Sequence, residues 1–191
     1  MDRRKAITRI MLGGAGVAAL FGGYKWYEIA KSPDVVYVEN NRELLAALAE
    51  TIIPATDTPG AREAGVADFI IMMIRECTDR KNQNKFIDGL KDLQSYSRSR
   101  CGRDYQHCSA AEQESVLTHF EQRDKPYGGI MGKVQNRYLG KSFFTILKEY
   151  TVEGYCTSEA GATRGLAYVN VPGSFKGCMP LTPGQKAWAT N

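Results

Sequence analysis

Residues 66–77 have the sequence VADFIIMMIREC, the clearest amphipathic helix pattern in the chain. Apolar side chains recur at i, i+3, i+4, i+7, i+8 and i+11, a spacing that places them on one helical face. They are Val66, Phe69, Ile70, Met73, Ile74 and Cys77. The spacing predicts a helix that packs against other helices, with Cys77 on its buried face.

The same periodicity occurs on both sides of this segment. One helix is expected to begin at Arg42, with Asn41 as its N-cap, and to end before Pro54. Three more are expected after residue 77, and the second of them opens with the capping box Ser109-Ala-Ala-Glu112. The apolar positions that mark these four helices are Leu44, Leu45, Leu48 and Ile52; Phe86, Leu90 and Leu93; Val116, Leu117 and Phe120; and Leu139, Phe143, Ile146, Leu147 and Tyr150.

The predicted fold is therefore all-α, a small helical bundle over residues 41–153. Residues 33–40 are expected to form a linker with a short β-like patch, Val35-Val36-Tyr37-Val38. From Gly154 onward, frequent glycine and proline interrupt any helical period. Residues 154–191 are thus predicted to be an extended Pro/Gly-rich C-terminal arm that lies on the helices or on a partner.

Residues 1–32 have the features of an export signal. Arg3 and Arg4 precede an uncharged run over residues 10–24 that contains five glycines. A spanning helix needs about 20 apolar residues, whereas a signal-peptide core needs about 7 to 15. The paired arginines favour a twin-arginine signal, and a retained N-terminal membrane anchor is the alternative. Either interpretation predicts a periplasmic body, and an anchor would add membrane association.

The charge distribution excludes several function classes. The net charge of +4 comes from residues 1–32, which hold six basic and two acidic side chains, so the remaining chain is neutral. A neutral body lacks the basic face of a nucleic-acid-binding domain. Two histidines are too few for a histidine-rich metal site, and no βαβ pattern is present to hold a nucleotide. We predict no catalytic, cofactor-binding or metal-binding residues in this chain.

If the chain is exported, its five cysteines would lie in an oxidising compartment, where disulfides persist. Cys101 and Cys108 are expected to pair across a short helix–helix loop. Cys77 and Cys178 are expected to staple the arm to the bundle. Because five is odd, Cys156 would remain a free thiol or form an intermolecular disulfide.

Two stretches resemble the gluconate 2-dehydrogenase subunit 3 family, the small subunits of exported flavin-dependent dehydrogenases. Residues 50–70 read ETIIPATDTPGAREAGVADFI, and residues 154–181 read GYCTSEAGATRGLAYVNVPGSFKGCMPL. The helices between them are similar to those of the family in length and in their pattern of apolar and polar residues, so the resemblance spans about residues 40–189.

The resemblance implies a non-catalytic accessory subunit of an FAD-dependent sugar or polyol dehydrogenase. The partner would be a large glucose-methanol-choline-type flavoprotein that binds FAD, with a cytochrome c subunit carrying haem c as a further candidate. This chain would hold no cofactor itself; it would stabilise the large subunit and carry its twin-arginine signal. A cytochrome subunit would offer a second route to membrane association.

The arm and the loop over residues 52–64 are the candidate contact surface. Tyr155, Tyr168, Phe175 and Trp188 are candidate anchors, because aromatic side chains dominate interface hot spots. Packing of these rings within the chain is the alternative. Two other functions stay open: a membrane-tethered helical binding module without an enzyme partner, and an independent thiol enzyme that uses Cys156.

Overall fold

A computed structural model describes residues 31–125, 140–171, 173–174, 178, 180–181 and 183–189. The α-helices among these residues are α1 (Val35–Asn40), α2 (Arg42–Ile52), α3 (Val66–Met72), α4 (Arg80–Cys101), α5 (Ala110–Arg123) and α6 (Phe143–Thr157). A π-helical turn, Met73–Cys77, continues α3, a 3-10 turn, Tyr105–His107, joins α4 to α5, and a second π-helical turn, Gly161–Gly165, follows α6. The described residues contain no strand, which confirms the predicted all-α bundle.

Helix α2 lies at the centre of the bundle. Its residues 44–49 are all buried, and the helix packs against α3, α5, α6 and the 3-10 turn. A helix that is apolar on every side is stable only when neighbours surround it. The start at Arg42 is confirmed, although the side chain of Asn41 makes no capping hydrogen bond. Leu139, predicted to lie in the last helix, falls outside the described residues.

The β-like patch predicted at residues 35–38 is wrong, because these residues form α1. The side chain of Asp34 caps the helix by accepting a hydrogen bond from the backbone N–H of Tyr37 at 3.2 Å. Val38 is fully buried, and α1 packs against α4. β-branched residues favour strands only where a sheet surface receives them; here the available apolar surface is a helix.

Cys77 is exposed, so its predicted burial is wrong. A π-helical turn fits one extra residue into each turn, and residues 73–77 therefore lose the phase of the buried stripe after Ile74. The carbonyls of the first two residues of this turn accept hydrogen bonds from side chains that follow it. Thr78 Oγ1 donates to the carbonyl of Met73 at 2.8 Å, and Gln83 Nε2 donates to that of Ile74 at 2.7 Å.

Helical structure extends beyond residue 153, the predicted end of the helical domain. Gly154 lies inside α6, and the helical conformation resumes in the second π-helical turn. A Cβ atom at Gly154 would lie 2.7 Å from Cδ1 of Phe69, so α3 and α6 touch closely here. This packing outweighs the poor helix propensity of glycine. The described residues between 166 and 189, which contain no helix, are called the distal arm below.

The bundle already holds the chain at Lys31. Lys31 Nζ lies 3.1 Å from Oδ1 of Asp88, and Asn84 Nδ2 donates to the carbonyl oxygen of Lys31 at 2.8 Å. Arg3 and Arg4 lie outside the described residues. Within the described part of the chain, every helix is too short or too polar to cross a bilayer.

Gly89 provides a test of the packing between α4 and α6. A Cβ atom at this position would overlap the Cβ of Phe143. We expect Gly89→Ala to lower the free energy of unfolding by about 1–2 kcal/mol, because the overlap outweighs the better helix propensity of alanine. Urea unfolding measures the change.

Gly173→Ala is the matched control, because a Cβ at Gly173 would have no heavy atom within 4 Å. Its effect should stay within about 0.5 kcal/mol. Equal stabilities of the two variants would contradict the close α4–α6 contact.

Candidate partner interface

The carboxylate of Glu50 closes the loop over residues 53–64. It accepts hydrogen bonds from the backbone N–H of Ala55 at 3.0 Å and of Arg62 at 2.8 Å. These two donors lie near the beginning and the end of the loop. A carboxylate that bonds two backbone donors is a strong acceptor, so one side chain at the end of α2 fixes both ends of the loop.

The base of this loop is buried and its tip is exposed. Pro59, Gly60 and Ala61 are buried, whereas residues 54–57 are exposed to solvent. The N–H of Ala61 donates to the carbonyl of Ile53 at 2.9 Å. A Cβ at Gly60 would lie 2.6 Å from Oε2 of Glu50, so the loop needs glycine here.

Tyr155 connects the loop to the end of α6. Its side chain is 7% exposed, and its hydroxyl donates to the carbonyl of Pro59 at 2.8 Å. The residues are 96 positions apart in the chain. This buried hydrogen bond therefore joins the two stretches that carry the family resemblance.

Arg164 connects the loop to the distal arm. Its guanidinium lies 2.7 Å from the carboxylate of Glu63, and its carbonyl accepts a hydrogen bond from Lys186 Nζ at 2.7 Å. Both side chains of the ion pair are more than half exposed, so the pair adds little stability. Arg164 thus contacts the loop through its guanidinium and the arm through its carbonyl.

The distal arm is folded back on itself by one parallel β-bridge between Ala167 and Trp188. The N–H of Ala167 donates to the carbonyl of Ala187 at 2.8 Å, and the N–H of Ala189 donates to the carbonyl of Ala167 at 2.9 Å. The bridge therefore places Trp188 beside the chain at Ala167, next to Tyr168.

Exposed apolar side chains are concentrated on this arm. Eight large hydrophobic residues are exposed in the described chain, and five of them belong to the arm. These five are Tyr168, Val169, Val171, Leu181 and Trp188. Val171 and Leu181 are 79% and 85% exposed. Apolar surface collected in one segment of a chain is typical of an interaction site.

A comparison with known protein families shows which family this chain belongs to. The model of the gluconate 2-dehydrogenase subunit 3 family matches residues 39–173. The chain belongs to this family. The match runs from α1 into the distal arm, and it includes the 53–64 loop, Tyr155 and Val171. No curated protein and no solved structure matched the chain.

Membership of the gluconate 2-dehydrogenase subunit 3 family makes this chain an accessory subunit of a dehydrogenase, with at least one partner subunit. The resemblance stated from the sequence is thereby confirmed. The connected loop, α6 end and distal arm, with their exposed apolar side chains, form the best candidate for the surface that meets the partner.

The four aromatic candidates have different positions in this subunit. Tyr168 and Trp188 are about half exposed, at 45% and 48%, and are available for contact. Tyr155 is buried in the chain, where it supports the surface instead of forming it. Phe175 lies outside the described residues.

All five cysteines are free thiols in the structure. Cys77 and Cys178 are both exposed, and their pairing stays a prediction. Cys156 is half-buried and packs against the hydrophobic core beside Tyr155. Whether it bonds a partner also stays a prediction.

Among the described residues, three carboxylates have a lowered pKa; hydrogen bonds from Ser109 lower that of Glu112, and the other two belong to surface ion pairs. A hydrogen bond from Arg42 lowers the pKa of Asp68, and one from Arg98 lowers the pKa of Asp104. Both carboxylates are thus held in the charged state, which does not suit them to exchange protons near neutral pH. In the described residues, no group of three or more His, Cys, Asp or Glu side chains is arranged to hold a metal ion.

Sequence reasoning singled out the loop and the arm as candidates but missed several residues that hold or form their surface. Glu50 opens the resemblance, yet nothing in its neighbours reveals that it bonds Ala55 and Arg62. Val171 and Leu181 look like ordinary apolar residues until the fold leaves them uncovered.

The hydrogen bond of Tyr155 can be removed with little change in shape. Tyr155→Phe leaves the buried carbonyl of Pro59 without this donor, so we expect the free energy of unfolding to fall by about 1–3 kcal/mol. We also expect limited proteolysis to cut the 53–64 loop faster. Denaturant unfolding and the mapped cleavage sites provide the two measurements.

Tyr168→Phe is the matched control, because the Tyr168 hydroxyl is exposed and lies 3.3 Å from Oδ1 of Asn170. Its effect should stay within about 0.5 kcal/mol. A Tyr155→Phe protein as stable and as protease-resistant as this control would show that the loop does not depend on α6.

Proposed function

We propose that this chain is the non-catalytic small subunit of an exported FAD-dependent sugar or polyol dehydrogenase. Its large partner would be a glucose-methanol-choline-type flavoprotein, and a cytochrome c subunit would accept the electrons. The observation that carries the proposal is the family match over residues 39–173. FAD and haem belong to the partners in this proposal, and the present chain binds neither.

The distal arm and the 53–64 loop form the contact with the flavoprotein in this proposal. The five exposed apolar residues of the arm supply surface whose burial would favour association. The hydrogen bonds of Glu50 and Tyr155 hold the loop before binding. An ordered surface loses less conformational entropy when a partner binds, so this support would raise affinity without touching the partner.

The twin-arginine signal gives the small subunit its second proposed role. That route carries folded proteins, and a flavoprotein that binds FAD in the cytoplasm would cross the membrane already folded. A partner without its own signal would then travel with this chain to the periplasm. The positive charge confined to residues 1–32 of an otherwise neutral chain is compatible with such a detachable or anchoring leader.

Co-purification tests the complex and its proposed surface together. The tagged chain, expressed with the flavoprotein, should be recovered from periplasmic and membrane fractions as a yellow complex with flavin absorbance. Trp188→Ala should raise the dissociation constant about 30-fold, as expected for an aromatic hot spot. A colourless chain without a large partner would contradict the proposal and favour the tethered binding module.

A pair of valine variants tests whether binding depends on the arm or on exposed apolar surface in general. Val171 is 79% exposed on the arm, and Val36 is 60% exposed on α1. Val171→Ser should weaken the complex, whereas Val36→Ser should leave the dissociation constant unchanged within about 2-fold. Equal effects of the two substitutions would remove the arm as the docking surface while leaving the subunit assignment intact.

Conservative substitution of the paired arginines tests the export role. Replacing Arg3 and Arg4 with lysine keeps the charge but removes the pair that the export receptor reads. Both subunits should then remain in the cytoplasm, as measured by cell fractionation and by dehydrogenase activity in the periplasm. Arg9→Lys is the control and should export normally. Continued export of the flavoprotein with the double variant would contradict the carrier role.

A further inference from the structure

Cys101 and Cys108 lie at the two ends of the turn between α4 and α5. Cys101 is the last residue of α4, and Gly102 ends that helix in the left-handed conformation, with φ 72°. Cys108 follows the 3-10 turn and directly precedes Ser109, the N-cap of α5. The turn thus brings the end of one helix beside the start of the next.

The two thiols meet on the face of α4 that carries Ser97. The Sγ of Cys108 lies 3.3 Å from the Oγ of Ser97, and Ser97 is one helical turn before Cys101. Helical side chains lean toward the N-terminus of their helix, so the Cys101 side chain extends over the Ser97 turn toward Cys108. The pKa of the Cys101 thiol is raised, mainly by burial and to a smaller extent by a hydrogen bond with the Cys108 thiol.

Tyr105 holds the turn between these cysteines in place. Its ring is fully buried, and its hydroxyl donates to Thr51 Oγ1 at 2.9 Å. Its backbone N–H donates to Oε1 of Gln94 at 3.0 Å. Because the turn is fixed to α2 and α4, the thiols stay close together without any covalent bond.

We propose that Cys101 and Cys108 form an intramolecular disulfide when the folded protein meets a disulfide oxidant. Cys101 is half-buried and Cys108 is only 8% exposed, so Cys101 is the thiol that an oxidant reaches first. This inference is independent of the proposed subunit role, since it depends on the α4–α5 turn alone.

The reaction proceeds by two thiol–disulfide exchanges. The Cys101 thiolate attacks one sulfur of glutathione disulfide, which forms a mixed disulfide and releases one glutathione thiolate. The Cys108 thiolate then attacks the Cys101 sulfur of the mixed disulfide and releases the second glutathione. The two protein thiols lose two electrons and two protons, and one glutathione disulfide becomes two glutathione thiols. The reaction should accelerate with rising pH, since only thiolates attack.

The test uses the full chain, reduced and then equilibrated in glutathione redox buffers. Alkylation followed by mass spectrometry should find Cys101 and Cys108 protected together, in a peptide pair 2 Da lighter than the reduced pair. The melting temperature should rise by about 5 °C on oxidation and return on reduction, because the bond closes a short loop in the unfolded chain.

Matched serine variants assign the effect to this pair. Cys101→Ser and Cys108→Ser should each abolish the oxidation-dependent rise in melting temperature, whereas Cys178→Ser, at an exposed position, should preserve it. If Cys108→Ser does not fold, the half-buried Cys101→Ser variant provides the same comparison. Recovery of both thiols in alkylated form after oxidation, or of a Cys101–glutathione adduct that never closes, would overturn the proposal.

Discussion

The candidate interface depends on the hydrogen bonds that the carboxylate of Glu50 accepts. Its hydrogen bonds to Ala55 and Arg62 fold the 53–64 loop into a fixed shape at the end of the central helix. That shape directs the carbonyl of Pro59 toward Tyr155. Without a fixed loop, the buried hydroxyl of Tyr155 would lose its acceptor, and the end of α6 would lose its attachment.

A continuous set of contacts extends from Glu50 to the arm. Tyr155 fixes the end of α6, the second π-helical turn follows, and Arg164 in that turn bonds both Glu63 and Lys186. The interactions become more exposed along this route, from a buried hydrogen bond to a solvent-accessible ion pair. Stability should therefore decrease in the same direction, since exposed ion pairs contribute little. The body provides rigidity, and the arm provides apolar surface.

The sequence predicted the helices better than their ends because periodic burial is a local signal. The stripe from Val66 to Ile74 was correct, but Cys77 faces solvent because a π-helical turn changes the phase. Residues 35–38 are helical because α4, not a sheet, covers Val38. The first error arises from a local change of helix type, and the second arises from a contact with a helix distant in sequence. The exposure of Val171 and Leu181 also depends on what the fold leaves uncovered.

Different interactions stabilise the helical body and the arm. The body buries a continuous apolar core, whereas the described part of the arm has a single β-bridge and mostly exposed side chains. Fixing each backbone residue costs about 1–2 kcal/mol of conformational entropy, which so few contacts within the arm offset poorly. Burial of Val171, Leu181 and Trp188 against a partner would provide the missing favourable free energy. The apolar residues that are unfavourable in the isolated subunit are therefore the ones that we propose are buried in the assembled dehydrogenase.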